Sequence, residues 1–199
     1  GDVYKRQVRH THPRTDNAMP PADCDKLMST PAAFLSGGGE MGALMRAHDW
    51  AASPLGAPAG WPAALKTTLR LLLTSKHAMF IWWGPELIQF YNDAYRATLD
   101  DGRHPSALGQ RGRDCWEEAW PIIGPQIEQV MAGGGATWNE HQLVPLVRKG
   151  VLAEAWWTYG YSPIEDAGGV RGVLVICQDV TEEQHNLSLI HISEPTRRR

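Results

Sequence analysis

The sequence predicts an α+β fold: a five-stranded antiparallel sheet with short helices on one face, preceded by an N-terminal helical cap. Three observations carry this. Helical periodicity comes first, followed by two strand-like runs, short helical pieces and three further strand-like runs. Consecutive strand runs are joined by short glycine-containing turns, Gly84-Pro85-Glu86, Lys149-Gly150 and a loop at residues 165–169, which implies antiparallel pairing. Strands and helices do not alternate as they do in a doubly wound parallel sheet.

Residues 10–31 mix Pro, Asp, Thr and Ser without periodicity and read as a disordered lead-in. SGGGE (residues 36–40) has neither a preceding strand nor the Gly-Lys-Ser/Thr ending of a phosphate loop, so it reads as a flexible hinge. Met41, Leu44, Met45 and His48 then share one helical face, and SPLGAPAG (residues 53–60) ends that helix. A second helix starts at Trp61-Pro62, with Pro in the first turn where its missing N–H costs nothing, and Leu65, Leu69, Leu72 and Leu73 form its stripe.

MFIWW (residues 79–83) and LIQFY (residues 87–91) read as a hairpin. Asn92-Asp93 fits a helix N-cap before AYRATL. DCWEEAW (residues 114–120) is a short helical piece. A longer helix from Pro121 carries Ile123, Ile127, Val130 and Met131 on one face and stops at Gly133-Gly134-Gly135. Strands are expected over residues 137–147, 151–161 and 170–180.

The two ends of the chain are of another kind. DVYKRQ (residues 2–7) has a permitted coding, GATGTGTATAAGAGACAG, whose opposite strand translates as LSLIHI, the residues at 187–192. Such inverted repeats resemble translated sequencing adapters, so residues 1–7 and 187–199 are set apart from the fold and expected to make no packed contacts with it. The gene is expected to extend beyond the fragment at both sides. The ends carry net charges of +1 and +2, which leaves the interior at −6 against −3 for the whole chain. An acidic interior is not a nucleic-acid footprint.

Cys24, Cys115 and Cys177 have no metal or disulfide spacing, which suits a reducing cytoplasm. No apolar run reaches membrane-spanning length, so this segment is expected to make no membrane contact, although its parent could be membrane-attached.

FYNDAYR (residues 90–96), GPQIEQVMAGG (residues 124–134) and DVTEE (residues 179–183), taken in order, resemble the PAS family. The first is similar to the family's second strand running into its first small helix, with Asn92 at a frequent Asn position. The last is similar to its Asp-x-Thr-Glu ending, where the final strand passes into an output linker. The resemblance covers residues 76–183. Residues 38–75 are similar to a cap that precedes one bacterial subgroup attached to sensor histidine kinases. The division it implies is a lead-in at 8–37, the cap at 38–75, the PAS domain at 76–183 and the start of an output linker at 184–186.

On the first strand Phe80 and Trp82 share one face, and Ile81 and Trp83 the other; Trp156 and Trp157 repeat that doubling. Both faces therefore require burial, one by the domain's own helices and the other by the cap, a second subunit or a neighbouring domain. Trp82, Tyr91 and Trp157 are the candidate pocket or interface aromatics. The resemblance implies a cytoplasmic sensory or interaction module of a two-component system. Its partners would be a second copy of itself and its own effector, a histidine kinase or a diguanylate cyclase. Asp179 and Thr181 would couple the signal, and Asn92 would be structural.

No catalytic residue and no metal site are expected. Trp116, Glu117 and Glu118 would raise the Cys115 thiol pKa. The family's flavin-binding Asn-Cys-Arg-Phe-Leu-Gln run is missing, and residues 121–132 hold no histidine for haem, so no cofactor is expected and a small-molecule ligand is left open. His104 and His141 read as surface or hydrogen-bonded residues. His185 is followed by Asn186 rather than Glu, unlike a phosphoacceptor box. The alternative is a small α+β isomerase or hydratase with a cone-shaped sheet, for which Glu140 and Glu154 are the candidate carboxylates.

Overall fold

A computed structural model describes residues 33–99 and 102–193. The cap begins earlier than expected. A single helical turn, Ala33–Leu35, buries Phe34 and Leu35, and Arg46 Nη1 donates to Leu35 O at 2.5 Å and to Gly37 O at 3.1 Å. The lead-in up to residue 32, and residues 194–199 of the tail, lie outside the described residues.

Helix α1 (Gly39–Ala47) buries Met41 and Met45, one turn apart. The expected hinge before it is clamped instead. Gly38 has φ 71° and Gly39 φ 60°, and a Cβ on Gly39 would stand 1.8 Å from Asp93 Oδ2. That closeness lets Asp93 accept from Glu40 N at 3.2 Å and Met41 N at 2.8 Å, satisfying the first amides of a helix 52 residues away in sequence. Helix α2 (Ala63–Thr74) buries the four leucines of its stripe; Pro62 caps it, one residue outside its first turn.

The five-stranded sheet is antiparallel throughout, its strands lying in the order β2 (Ile88–Tyr91), β1 (Met79–Trp83), β7 (Gly169–Asp179), β6 (Trp156–Asp166) and β3 (Thr137–Leu143). Strands β1 (Met79–Trp83) and β2 (Ile88–Tyr91) form the first hairpin. Helices α3 (Asp93–Arg96), α4 (Gly112–Cys115) and α5 (Trp120–Met131) lead to β3 (Thr137–Leu143). The short helix expected at 114–120 thus lies slightly earlier.

Two expected strands are broken. The first leaves the sheet at Val144-Pro145 and continues as β4 (Leu146–Arg148); the second begins as β5 (Val151–Ala153) and rejoins the sheet as β6 (Trp156–Asp166). Pro145 has no N–H to give a ladder, and β4 and β5 pair as a separate hairpin. The loop expected at 165–169 is a tight turn, because β6 and β7 (Gly169–Asp179) pair up to Asp166 and Gly169. Helix α6 (Thr181–Ser193) follows and continues beyond Asn186, with Leu187 and Ser188 exposed.

Both faces of the aromatic hairpin are buried. Phe80 and Trp82 turn towards α3–α5. On the opposite face Ile81 pairs with Phe90, and the cap covers them: Trp50 stacks on Phe90 at 4.9 Å and Trp61 meets its edge at 5.5 Å. The cap helix α2 also touches β6, but it leaves Trp138 63% and Ile176 45% exposed. Both flank Gly160 in the register and so share that face.

Candidate functional site

Between the inner face of the sheet and the short helices lies a cavity of about 50 Å³. Phe80, Trp82, Tyr161 and Val175 form its floor, Trp116 and Ile123 its helical wall, and Val144, Leu146 and Trp157 one side. None of its lining residues is a carboxylate, a histidine or a lysine. Burial raises the hydroxyl pKa values of Tyr95, Tyr159 and Tyr161 and that of the Cys177 thiol, so all remain protonated. The cavity can therefore hold an apolar group and offers no base or nucleophile to act on it. It is about a third of the ~150 Å³ that accommodates benzene in an engineered protein core, too small for a flavin or haem as packed.

One buried side chain orders the aromatic wall. Gln89, fully buried, accepts from Trp82 Nε1 at 3.0 Å and Trp116 Nε1 at 2.6 Å through one oxygen, and its amide nitrogen points at Cys115 Sγ at 3.8 Å. A Cβ on Gly112 would meet the Trp82 indole nitrogen at 2.7 Å, so glycine there lets α4 approach the ring. Burial pushes the Cys115 thiol up to about 11; the Glu118 charge adds to this, while Arg103 and Gln89 oppose it. The direction is the one its neighbours suggested, but burial is the principal cause.

At the end of β7 the backbone passes into α6 through Asp179-Val180-Thr181. Asp179 Oδ1 accepts from Thr181 N at 3.0 Å and Thr181 Oγ1 at 2.5 Å, and Thr181 Oγ1 accepts from Trp156 N at 2.9 Å. The other Asp179 oxygen takes Arg148 Nη2 at 2.6 Å, from the tip of β4. A second contact holds the same hairpin: Glu118 accepts from Val147 N at 2.9 Å and pairs with Arg103.

Both carboxyls have lowered pKa values. Burial alone would raise each, but Thr181 and Arg148 outweigh it at Asp179, and Val147 N–H and Arg103 do so at Glu118. Depressed carboxyls stabilise the fold above their unfolded pKa, about 4, and that contribution is lost as pH falls through the lower folded value. A ¹³C carboxyl titration should therefore place Asp179 below about 3.9 and Glu118 below about 4.3. Midpoints at or above those values would contradict the pairing.

Of the residues singled out in the sequence, Trp82 and Trp157 line the cavity. Tyr91 does not: it is buried at the edge of the sheet and bonds to His104 Nδ1 at 3.0 Å, whose Nε2 reaches Glu40 at 3.1 Å. Burial raises the Tyr91 pKa. Asn92 caps α3 by accepting from Tyr95 N at 3.0 Å. Glu140 is exposed, takes Trp138 Nε1 at 3.0 Å, and like the exposed Glu154 is absent from the cavity wall. His141 lies exposed in β3 and His185 exposed on α6. Among the described residues no group of His, Cys, Asp and Glu is arranged to hold a metal, and no helix is long and apolar enough to cross a membrane. Gln89, Glu118 and Arg148 were not foreseen.

A small neutral cavity thus lies behind a five-stranded sheet whose last strand ends in a hydrogen-bonded junction with a helix. The family model described as the PAS fold matches residues 83–185, more than half the chain, and the chain belongs to the PAS family. Three solved structures are similar to it. An RNA-binding Light-Oxygen-Voltage receptor is 20% identical at a TM-score of 0.44, with 68% of this chain covered and 41% of that one, so the chain spans less than half of that receptor. A sensory box sensor histidine kinase from Vibrio cholerae is 16% identical at 0.39, covering 61% of this chain and 98% of that one. The PAS domain of BvgS from Bordetella pertussis is 17% identical at 0.43, covering 66% and 96% respectively. Family membership rests on the family match, because these TM-scores are low. No curated protein sequence matches the chain.

Proposed function

We propose that this PAS domain is the input module of a bacterial signalling protein whose effector is a histidine kinase. In this reading a small apolar ligand or a partner shifts the packing around the cavity, and Asp179-Val180-Thr181 passes the change to α6. The observation that carries it is the closed set of hydrogen bonds among Asp179, Thr181 and Trp156 at the strand-to-helix junction. A ligand biases such a junction only through different affinities for its two states. The exposed Trp138 and Ile176 support a second copy of the chain as the cover for the far strands.

The test grafts residues 33–185 in frame onto a histidine-kinase core. Asp179→Ala with Thr181→Ala removes two cap-like contacts of about 1 kcal/mol each, small beside the domain's stability but comparable with a signalling bias. The expected result is a folded sensor whose autophosphorylation no longer follows the conditions that modulate the unmodified graft. Equal responses in both would make the domain a docking module without a switch.

A further inference from the structure

We propose that the β4–β5 hairpin is a strap that carries the state of the cavity to the output junction, with Arg148 as the positioning residue at its end. This rests on the reading of the cavity and junction just given and adds the route between them.

Three consecutive residues of β4 have three separate attachments. Leu146, 8% exposed, forms part of the cavity wall. Val147 N–H is held by Glu118 on the helical side. Arg148 holds Asp179, whose other oxygen holds Thr181. Leu146 and Arg148 are two apart on one strand and project to the same side, about 7 Å from each other. Pairing with β5 at Leu146–Ala153 and Arg148–Val151 stiffens this segment, so outward movement at Leu146 carries Arg148 with it. The base of the strap is fixed where Val144 N donates to Ala155 O at 2.8 Å, next to Pro145.

The strap does not fill the space under it. Beneath it lies a second cavity of about 10 Å³ that shares Tyr95, Trp116, Leu146 and Trp157 with the first. Two donors in its walls, Arg103 Nη1 and Trp157 Nε1, are buried without a hydrogen-bond partner. Lifting the strap breaks the Glu118 and Asp179 bonds, withdraws Leu146 from the core and Arg148 from the face of Trp157, and gives both donors a route to water. An occupant that enlarges the cavity would raise Leu146, draw Arg148 off Asp179 and release Thr181.

Xenon enters apolar cavities and serves as the probe. Under xenon pressure, NMR spectra of the 199-residue chain should show shifts of the Leu146 methyls together with the Thr181 and Gln184 amides. In Arg148→Gln the cavity shifts should remain while the junction shifts fall about fivefold, and the Thr181 amide should exchange about fivefold faster without xenon. Arg148→Lys, which keeps the charge, should recover part of the junction response. Junction shifts of equal size in the wild type and Arg148→Gln would overturn the strap while leaving the cavity and junction reading intact. Cavity shifts with a silent junction in the wild type would overturn both the strap and the proposed coupling. If the Leu146 methyls do not respond, the cavity is not a binding site and the strap has no input.

Discussion

Asn92→Ala is expected to destabilise the domain by about 4 kcal/mol, lowering its thermal midpoint by about 10 °C. Asn92 is 2% exposed and uses its whole hydrogen-bonding capacity. Its oxygen accepts from Met79 N at 3.1 Å and Tyr95 N at 3.0 Å; its amide donates to Leu72 O at 3.2 Å and His77 O at 2.8 Å. One side chain thereby joins the end of the cap helix, the start of β1 and the first turn of α3. Alanine leaves two backbone N–H groups buried without partners, at about 1–3 kcal/mol each. Asn92→Asp keeps the acceptor but turns a carboxylate towards two carbonyls, and should cost as much. Urea unfolding followed by tryptophan fluorescence measures both; a loss under about 1 kcal/mol would contradict the hub.

Gln89→Leu should cost about 3 kcal/mol, because two buried indole N–H groups lose their shared acceptor. The effect can be separated from simple loss of volume. Trp116→Phe removes one of the orphaned donors, so Gln89→Leu with Trp116→Phe should be more stable than the sum of the single changes by about 1 kcal/mol or more. Strict additivity would mean that the bonds at 3.0 and 2.6 Å contribute nothing specific. Gln89→Leu should also reduce the near-UV circular dichroism of Trp82 and Trp116, since Gln89 is the acceptor that both indole N–H groups share.

What could be read from the sequence was what neighbouring residues decide. MFIWW is an unbroken apolar run closed by a Gly-Pro turn, and its bounds as a strand coincide with Met79–Trp83. The leucine stripe of α2 and the cap at Asn92 are equally local. Asp179 and Thr181 were singled out through the family's Asp-x-Thr ending, and their oxygens meet backbone donors at the junction. The PAS assignment was legible because its strands and helices occur in a fixed order.

The rest depended on distant partners. Asp93 reads as part of a local cap, yet it holds amides 52 and 53 residues away. Gln89 sits among apolar neighbours with no sign in the sequence that two indoles converge on it. Tyr91 alternates onto the same side as Trp82, but β2 is the edge of the sheet, and there it meets His104 instead of the cavity. Arg148 looks like a solvated charge beside a turn until β7 brings Asp179 against it.

The strand order also leaves two rims of the sheet that another chain could pair with. A sheet with two free edges offers unpaired backbone groups to any other strand. On one side the loop at residues 109–112 covers β2, with Gly109 N and Gly112 N donating to Gln89 O and Leu87 O. On the other, β3 breaks register between Asn139 and Gln142, where His141 adopts φ 48° and Glu140 projects a charge. That bulge interrupts the flat ladder an incoming strand would need, so growth of the sheet from one molecule into the next is blocked at both rims.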